Sequence, residues 1–395
     1  MTNRLNTAVA VVFAACGVPL ATGADTVSTE VTNSESAELV TGAGSAQQSS
    51  QGWVKSLTGD LNVSGFVSVS FFHNFNDADP SANAFVTKAD EFILHKLKLA
   101  IEKPVARSGE KWDVGLRADV IAGEDAKVIH AAGLGTPDDA IDLEQAYLSI
   151  NVPVGTGLKV ALGKMVTLMG VEVIEETLNP NWTVGNQFLY VENFTQLGGL
   201  IAYNLSDSVE AMVAVFNGWD KVNDNNDGLS AMGKVNLALR PGTSVALLGY
   251  AGPEQDDETT NLRKGAQLIL TQTVGSKLTF YAQADYGHED EAALAGGDAE
   301  WWAGGIWAVY NFVDEFGVAL RADHLIDSGS SRTGFDASGD TALSSLTLTL
   351  NIKPIPDLHI RPEVRWDHCS EPAFADGNRA KRNQVLLGMG VSYVF

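Results

Sequence analysis

The ten-residue stretch KLTFYAQADY (277–286) alternates between two chemically different faces. One face carries Lys277, Thr279, Tyr281, Gln283 and Asp285. The other carries Leu278, Phe280, Ala282, Ala284 and Tyr286. Successive side chains of a β-strand point to opposite sides, so this period of two predicts a strand with one polar and one apolar face.

The same period recurs from residue 61 onward in sixteen segments, each about ten residues long, which is what a tilted strand needs to cross a hydrocarbon layer. They lie near 61–72, 91–102, 111–121, 141–151, 157–166, 197–205, 209–217, 230–239, 244–252, 264–274, 277–287, 301–312, 315–326, 342–352, 357–367 and 384–395. Segment 357–367 fits least well because Pro362 falls within it. That proline predicts either a bulge or a register shifted by one residue.

The connections distinguish a membrane barrel from a soluble sandwich, which also alternates polar and apolar residues. Every second connection is short: the turn around Pro104, then VPVGT, SDS, RPGT, VGS, VDE and KPIP. The others are long and lie at 73–90, 122–140, 166–196, 218–229, 253–263, 288–300, 327–341 and 368–383. Short turns on one side and long loops on the other are typical of an outer-membrane barrel, and sixteen strands leave room for an aqueous channel. The predicted fold class is all-β, a transmembrane antiparallel β-barrel of about 16 strands with short periplasmic turns and long extracellular loops.

The N-terminal region predicts export. Residues 1–24 contain one arginine, a short apolar run and a small-residue cleavage site, which indicates a signal peptide. A lipoprotein signal around Cys16 is the alternative. Residues 25–57 are rich in Ser, Thr, Glu and Gln and predict a flexible periplasmic lead-in. The barrel is expected to occupy 58–395.

Composition and motif spacing argue against other protein classes. The net charge of −23 excludes a nucleic-acid partner, since phosphates require Lys and Arg. Cleavage of the signal would leave Cys369 as the one cysteine, so no disulfide framework is expected. The seven histidines are scattered without metal-ligand spacing, and we expect no catalytic residue, metal site or cofactor. A Ser–His site or an Asp/His protease site assembled only in space stays open as an enzymatic alternative.

The stretch NGWDKVNDNNDG (217–228) partly matches a calcium loop. With Gly228 at the sixth position, the first ligand would be the amide Asn223 and the twelfth would be Lys234. Both violate the pattern, which needs a carboxylate first and a bidentate Glu last. An exterior polar turn is the stronger interpretation, with Trp219 expected at the membrane interface.

Several stretches together resemble the putative beta-barrel porin 2 family, OmpL-like proteins of Gram-negative bacteria. They are VSGFVSVSFFHNFN (63–76), IEKPV (101–105), AGEDAKVI (122–129), DLEQAYLSINVPVGTGLKVALGKMVTLMGVEVIE (142–175), NGWDKVNDNNDG (217–228), GYAGPEQ (249–255) and WWAG (301–304). The resemblance implies a pore but names no solute, and residues 176–196 match only loosely. The final strand ends in GVSYVF, and its Tyr393 and Phe395 resemble the C-terminal assembly signal of bacterial outer-membrane barrels.

Charge distribution suggests where passage would be controlled. The eight long loops hold 28 acidic and 8 basic residues, so the predicted outer rim is strongly acidic. This rim is either a solvated surface or a funnel that concentrates cations. The loop 166–196 has four acids and no Lys or Arg, and it could fold inward as the third loop does in general porins. We therefore predict a pore constriction with acid on this loop and Arg on the wall, formed by Glu172, Glu175, Glu176, Arg321, Asp323, Arg361, Glu363, Arg365 and Asp367. The alternative is that the wall Arg and acids only neutralise one another across strands.

The sequence thus predicts a non-enzymatic outer-membrane porin that passes small hydrophilic solutes or ions by diffusion. The alternative function is a non-conducting barrel that serves adhesion or envelope structure through its acidic loops. The expected partners are outer-membrane lipid, lipopolysaccharide and the outer-membrane assembly machinery. A homotrimer is expected by analogy with general porins.

Overall fold

A computed structural model describes residues 61–336 and 339–395. The predicted signal peptide (1–24) and lead-in (25–57) lie outside the described residues. The described chain forms eighteen strands: β1 (Asn62–Asn74), β2 (Phe92–Lys103), β3 (Asp113–Ala122), β4 (Ile141–Val152), β5 (Leu158–Val166), β6 (Thr195–Ser206), β7 (Val209–Phe216), β8 (Ser230–Arg240), β9 (Thr243–Pro253), β10 (Leu262–Val274), β11 (Leu278–Glu289), β12 (Ala299–Val313), β13 (Phe316–Ser328), β14 (Thr341–Ile355), β15 (Leu358–Cys369), β16 (Phe374–Asp376), β17 (Arg379–Lys381) and β18 (Asn383–Val394).

Sixteen of these strands, all except β16 and β17, form one closed antiparallel barrel. Each strand pairs with its neighbour in sequence, and β1 closes the barrel against β18 in the register Phe66 to Val394. The last residue continues this pairing, since Gly65 and Phe395 exchange two backbone hydrogen bonds of 2.8 Å. The predicted fold class and strand number are therefore confirmed.

The outer face of the barrel is apolar because every second residue of a strand points outward. In β14, Leu346, Leu348 and Leu350 are exposed, whereas the intervening Thr347 and Thr349 are buried. In β11, Phe280 is exposed and Gln283 and Asp285 face inward. A belt of exposed aliphatic side chains around a closed sheet is the surface that lipid requires.

Two bulges change which side chains face the lumen. The pairing of β1 with β2 shifts at Ser68, and both His95 and Lys96 become buried. The pairing of β3 with β4 shifts at Asp119, and both Glu144 and Gln145 become buried. A bulge places two consecutive residues opposite one, so each of these strands directs an additional polar side chain into the lumen.

Pro362 does not cause a bulge. It lies on the outward side of β15 and pairs with Met389 of β18 in unbroken register. The irregularity between β14 and β15 lies nearer the turn, between Ile352 and Ile355. The expected bulge or one-residue shift at Pro362 is therefore wrong, the register assigned to 357–367 holds, and the proline is tolerated because the ladder to β14 omits its position.

The long connections all lie at one end of the barrel and the short turns at the other. Two short helices belong to the long connections, α1 (Asp125–Val128) and α2 (Asn186–Tyr190). The hairpin formed by β16 and β17 extends the last long connection. Neither helix in the described part of the chain is long and apolar enough to cross a membrane.

Candidate functional site: a loop inside the barrel

The connection from β5 to β6, residues 167–194, lies inside the barrel, and we call it the lumen loop. Its backbone carbonyls accept hydrogen bonds from inward-facing cations on three well-separated strands. Lys96 of β2 donates to Ile174 (2.7 Å), Lys234 of β8 to Leu168 (2.6 Å) and Arg365 of β15 to Val184 (2.6 Å). Since these strands lie on different sides of the closed sheet, the loop crosses the lumen. The expectation that 166–196 could fold inward agrees with this placement.

Local hydrogen bonds give the lumen loop its shape. The side chain of Asn179 donates to the Val173 carbonyl at 2.7 Å and accepts from the Val173 N–H at 2.8 Å. This pair closes the first half of the loop into a compact turn, as Asn side chains commonly do. The second half contains α2, which lies against β12, β13 and β14.

On the β2 side, two lysines meet the acids of the lumen loop. Lys98 contacts Glu175, and its Nζ lies 2.9 Å from Asp119 and 2.7 Å from Glu144. Lys96 lies 3.0 Å from Glu176 and 3.1 Å from Asp125 of α1. These groups are all nearly inaccessible to solvent, so each lysine neutralises carboxylates that would otherwise be buried as unpaired charges.

On the β13 side, Arg321 holds the middle of the lumen loop. Its Nη1 lies 2.7 Å from Glu172 Oε1 and also donates to the Thr183 carbonyl. Its Nε lies 3.2 Å from the carboxylate of Asp323, the second acid that pairs with this guanidinium. Asp323 in turn accepts a 2.6 Å hydrogen bond from Asn186 of α2. The guanidinium is fully buried and thus links the loop and the wall in one ionic network.

On β15, the contacts are mostly to the loop backbone. Glu363 accepts hydrogen bonds from the Trp182 and Thr183 amides at 2.7 and 3.1 Å. Arg361 donates to the carbonyl oxygens of Glu176 (2.5 Å) and Asn179 (3.0 Å). Arg365 pairs with Asp367 at 2.8 Å in addition to binding the Val184 carbonyl. The side chains of β15 therefore bind the main chain of the lumen loop, and Arg365 and Asp367 form an ion pair within the strand.

All nine predicted constriction residues are buried inside the barrel, and whether they form a constriction stays a prediction. Glu172 of the lumen loop contacts Arg321 of the wall. Glu175 and Glu176 instead meet Lys98 and Lys96, which sequence reasoning missed. The sequence did contain a signal for these two lysines, since HKLK at 95–98 places both of them on the same face of a predicted strand. The alternative was neutralisation across strands, whereas Arg321 and Arg365 pair with acids two residues away on their own strands.

Glu192, the fourth acid of the lumen loop, forms no ion pair among the described residues. Its Oε1 accepts hydrogen bonds from Gln283 (2.7 Å) and Gln267 (3.2 Å), and its Oε2 has no partner among the described residues. Burial, together with the negative charge of Asp285, raises the pKa of the Glu192 carboxyl well above its usual value. A Cβ at Gly170, where φ is +89°, would lie 2.3 Å from Oε2, so only glycine fits there.

Apolar clusters also fill part of the lumen. On β6 to β9 the inward face carries large apolar side chains, including Met212, Phe216 and Tyr250, which pack with Met169 of the lumen loop. The expectation of a polar inner face on every strand is wrong here, because the lumen loop supplies an apolar partner. Trp219 was also misplaced: it is 7% exposed and packs on Tyr250 at a ring distance of 5.2 Å rather than at the membrane interface.

Two groups of potential metal ligands occur in the described residues. In Asp119, Glu144 and Glu175 the Lys98 ammonium already lies among the carboxylates. The other group, His288, Asp290 and Asp298, lies on the long loop 288–300. Neither group includes a residue of 217–228, where Asn225 donates its side-chain N–H to Asp256 at 2.7 Å.

The C-terminal residues lie at the barrel seam. Tyr393 is 45% exposed and Phe395 is 39% exposed on the outer surface. The Phe395 ring lies over Gly65, where an added Cβ would come within 2.8 Å of it. A function of these residues in membrane assembly stays a prediction.

Comparison with known proteins identifies the family. A family model described as putative beta-barrel porin-2, OmpL-like, matches residues 60–395. The chain belongs to this family. Membership in the porin-2 family and the closed barrel indicate an outer-membrane location and a porin-like, non-enzymatic role. No curated protein matches the sequence.

Several solved structures share the fold at low sequence identity. The anion-selective porin from Comamonas acidovorans is 10% identical, with a TM-score of 0.59 over 85% of this chain and 99% of that chain. The outer-membrane channel DcaP of Acinetobacter baumannii is 14% identical, with a TM-score of 0.55 over 85% and 97%. A trimer form of OmpT of Vibrio cholerae is 10% identical, with a TM-score of 0.56 over 85% and 99%. At these identities the likeness concerns the fold alone.

Proposed function

We propose that this porin-2 family member forms an aqueous channel through which small hydrophilic solutes or ions diffuse passively. The observation that carries the proposal is the lumen loop, whose acids meet wall cations partway along the barrel. Sixteen strands would otherwise leave a wide channel, so a loop folded inward narrows it to a constriction. Charged groups at a constriction set the selectivity among ions.

The constriction has a basic wall and an acidic loop. Arg321, Arg361 and Arg365 lie on β13 and β15, whereas the buried carboxylates of Glu192 and Asp285 lie toward β10 and β11 and form no ion pair among the described residues. A transverse arrangement of opposite charges of this kind orients polar solutes and slows apolar ones.

Single-channel recording in a planar bilayer under a salt gradient tests the proposal. We expect stable conductance steps. A reversal potential that favours cations would assign selectivity to the acidic rim and Glu192, and one that favours anions would assign it to the arginine wall. An absence of steps from a folded, heat-modifiable barrel would contradict the channel.

A second candidate is a barrel that does not conduct and serves adhesion or envelope structure. The near-complete burial of Lys96, Arg321 and Arg365, and the apolar packing of Met169 in the lumen, favour it. The same recording separates the two candidates, because a closed barrel gives no steps until the lumen loop moves.

Export through the signal peptide, insertion by the assembly machinery through Tyr393 and Phe395, contact with lipopolysaccharide and assembly as a homotrimer complete the proposal. The oligomeric state would be tested by comparing the protease resistance of the trimer with that of the monomer, and by electrophoretic migration in mild detergent.

A further inference from the structure

A group of basic side chains lies below the lumen loop, at the end of the barrel where the short turns are. Lys353 and His359 flank the turn between β14 and β15, and Arg361 follows two residues later on the same inward face. The charges of Lys353 and Arg361 both act on the His359 ring. Three basic groups therefore face one region of the lumen.

None of these three groups forms an ion pair in the part of the chain that the structure describes, although the charges of Glu176 and Glu363 act on Arg361. The like charge of Arg361 acts on Lys353. Among the described residues, the buried atoms Arg361 Nε and His359 Nδ1 have no hydrogen-bond partner at normal geometry, and the Pro356 carbonyl is the backbone group that acts on the His359 ring. Ser392 of β18 lies directly opposite His359, and its hydroxyl is also buried and unpartnered.

The two acids whose charges act on Arg361 also hold other partners. Glu363 accepts hydrogen bonds from the Trp182 and Thr183 amides and from the Thr349 hydroxyl at 2.6 Å. Glu176 lies 3.0 Å from Lys96. Arg361 therefore shares its carboxylates with other groups, and a bound anion would add compensating charge beside this buried guanidinium.

We propose that Lys353, His359, Arg361 and Ser392 form a binding site for a small oxyanion, a carboxylate or phosphate group of a diffusing solute. An ammonium and a guanidinium N–H would give charge-assisted hydrogen bonds, and the serine hydroxyl would add a third donor. The His359 ring would add a further N–H donor in the tautomer that carries its proton on Nδ1. The proposal rests on the channel function and names its solute class.

The site lies toward the turn end of the barrel. Lys353 is half-buried, and the stretch of the lumen loop above it, including Thr177 and Pro180, is only partly buried. Asn351 ties this stretch to the wall through a 3.2 Å hydrogen bond to the Pro180 carbonyl. The anion would therefore bind just beneath the constriction, where it meets the charges that a solute must pass.

Isothermal titration of the full folded chain in detergent, with inorganic phosphate and separately with succinate, tests the site. Lys353→Gln is the informative variant, because Lys353 holds no loop contact. We expect it to weaken phosphate binding about tenfold, the loss of one charge-assisted hydrogen bond. Lys159→Gln is the matched control, since it removes a lysine from the inner face of β5, where Arg107, Glu102 and Glu210 surround it; it should bind phosphate like the parent chain.

The outcomes separate this site from the channel. Equal phosphate and succinate affinities in Lys353→Gln and the parent chain, or an equal loss in Lys159→Gln, would overturn the site. A chain that conducts but binds neither anion also overturns the site and leaves the channel standing. A chain that binds phosphate through Lys353 but gives no conductance supports the site and overturns the channel. Binding of phosphate but not succinate supports a phosphate solute.

Discussion

Replacing Arg321 with methionine would remove the cation that fastens the middle of the lumen loop to β13. The guanidinium contacts Glu172 at 2.7 Å, Asp323 at 3.2 Å and the Thr347 hydroxyl at 2.9 Å, and it is fully buried. Removing one partner of a buried pair costs about 3–5 kcal/mol. Glu172 would still accept the 2.6 Å hydrogen bond from the Gly185 N–H, so we expect a cost at the low end of this range, about 3 kcal/mol.

A change of about 3 kcal/mol shifts the equilibrium between docked and released loop about a hundredfold. Limited chymotrypsin digestion measures the release of the loop, because the lumen loop contains the chymotrypsin sites Trp182, Phe188 and Tyr190 but no Lys or Arg for trypsin. We expect faster cleavage at these residues in Arg321→Met, with trypsin cleavage of the barrel unchanged. Arg117→Met is the control, since Arg117 pairs with Asp119 and Glu102 and touches no loop residue. Identical cleavage in Arg321→Met and the parent chain would refute the reasoning.

Three further substitutions test other parts of the account. Because folding raises the pKa of the Glu192 carboxyl, protonation of this group stabilises the folded state. That stabilisation is complete below the unfolded pKa of about 4.3 and is lost as the pH rises through the pKa of the folded state. Glu192→Gln should therefore flatten the pH dependence of the urea midpoint without lowering it at pH 8, and a lower midpoint there would contradict this. Gly65→Val places a Cβ 2.2 Å from the Lys98 carbonyl and 2.8 Å from the Phe395 ring, so it should abolish the heat-modifiable folded band, whereas Gly233→Val, with nothing within 4 Å, should keep it. Lys98→Met leaves the buried carboxylates of Glu144 and Glu175 without an ion-pair partner, whereas Asp119 keeps Arg117, and we expect chymotrypsin to reach the lumen loop at pH 8; protection equal to that of the parent chain would contradict a role of Lys98 in holding the loop.

The sheet could be predicted from the sequence because its signals are local. In KLTFYAQADY the alternation of polar and apolar residues assigns each side chain to one face of the strand, and the short connections show where the chain reverses direction. Even the doubtful strand at Pro362 kept its predicted register. The acidity of the lumen loop and the arginines of β13 and β15 were likewise visible as composition.

The pairings inside the lumen could not be predicted because they depend on the path of the loop. A bulge in β2 turns both His95 and Lys96 inward, and no pattern in the sequence announces it. Trp219 was assigned to the membrane interface since its burial depends on Tyr250, some thirty residues later. Glu192 went unnoticed because its distinguishing feature, a buried carboxylate held by Gln267 and Gln283 and not by an ion pair among the described residues, depends on neighbours that are distant in sequence.

The central claim is that the lumen loop controls passage through the barrel. Single-channel conductance of a chain in which residues 171–190 are replaced by a short Gly–Ser linker, measured beside the intact chain, tests it most directly. We predict conductance steps several times larger in the shortened chain, and steps there even if the intact chain has none. Equal conductance in the two folded proteins would contradict the account.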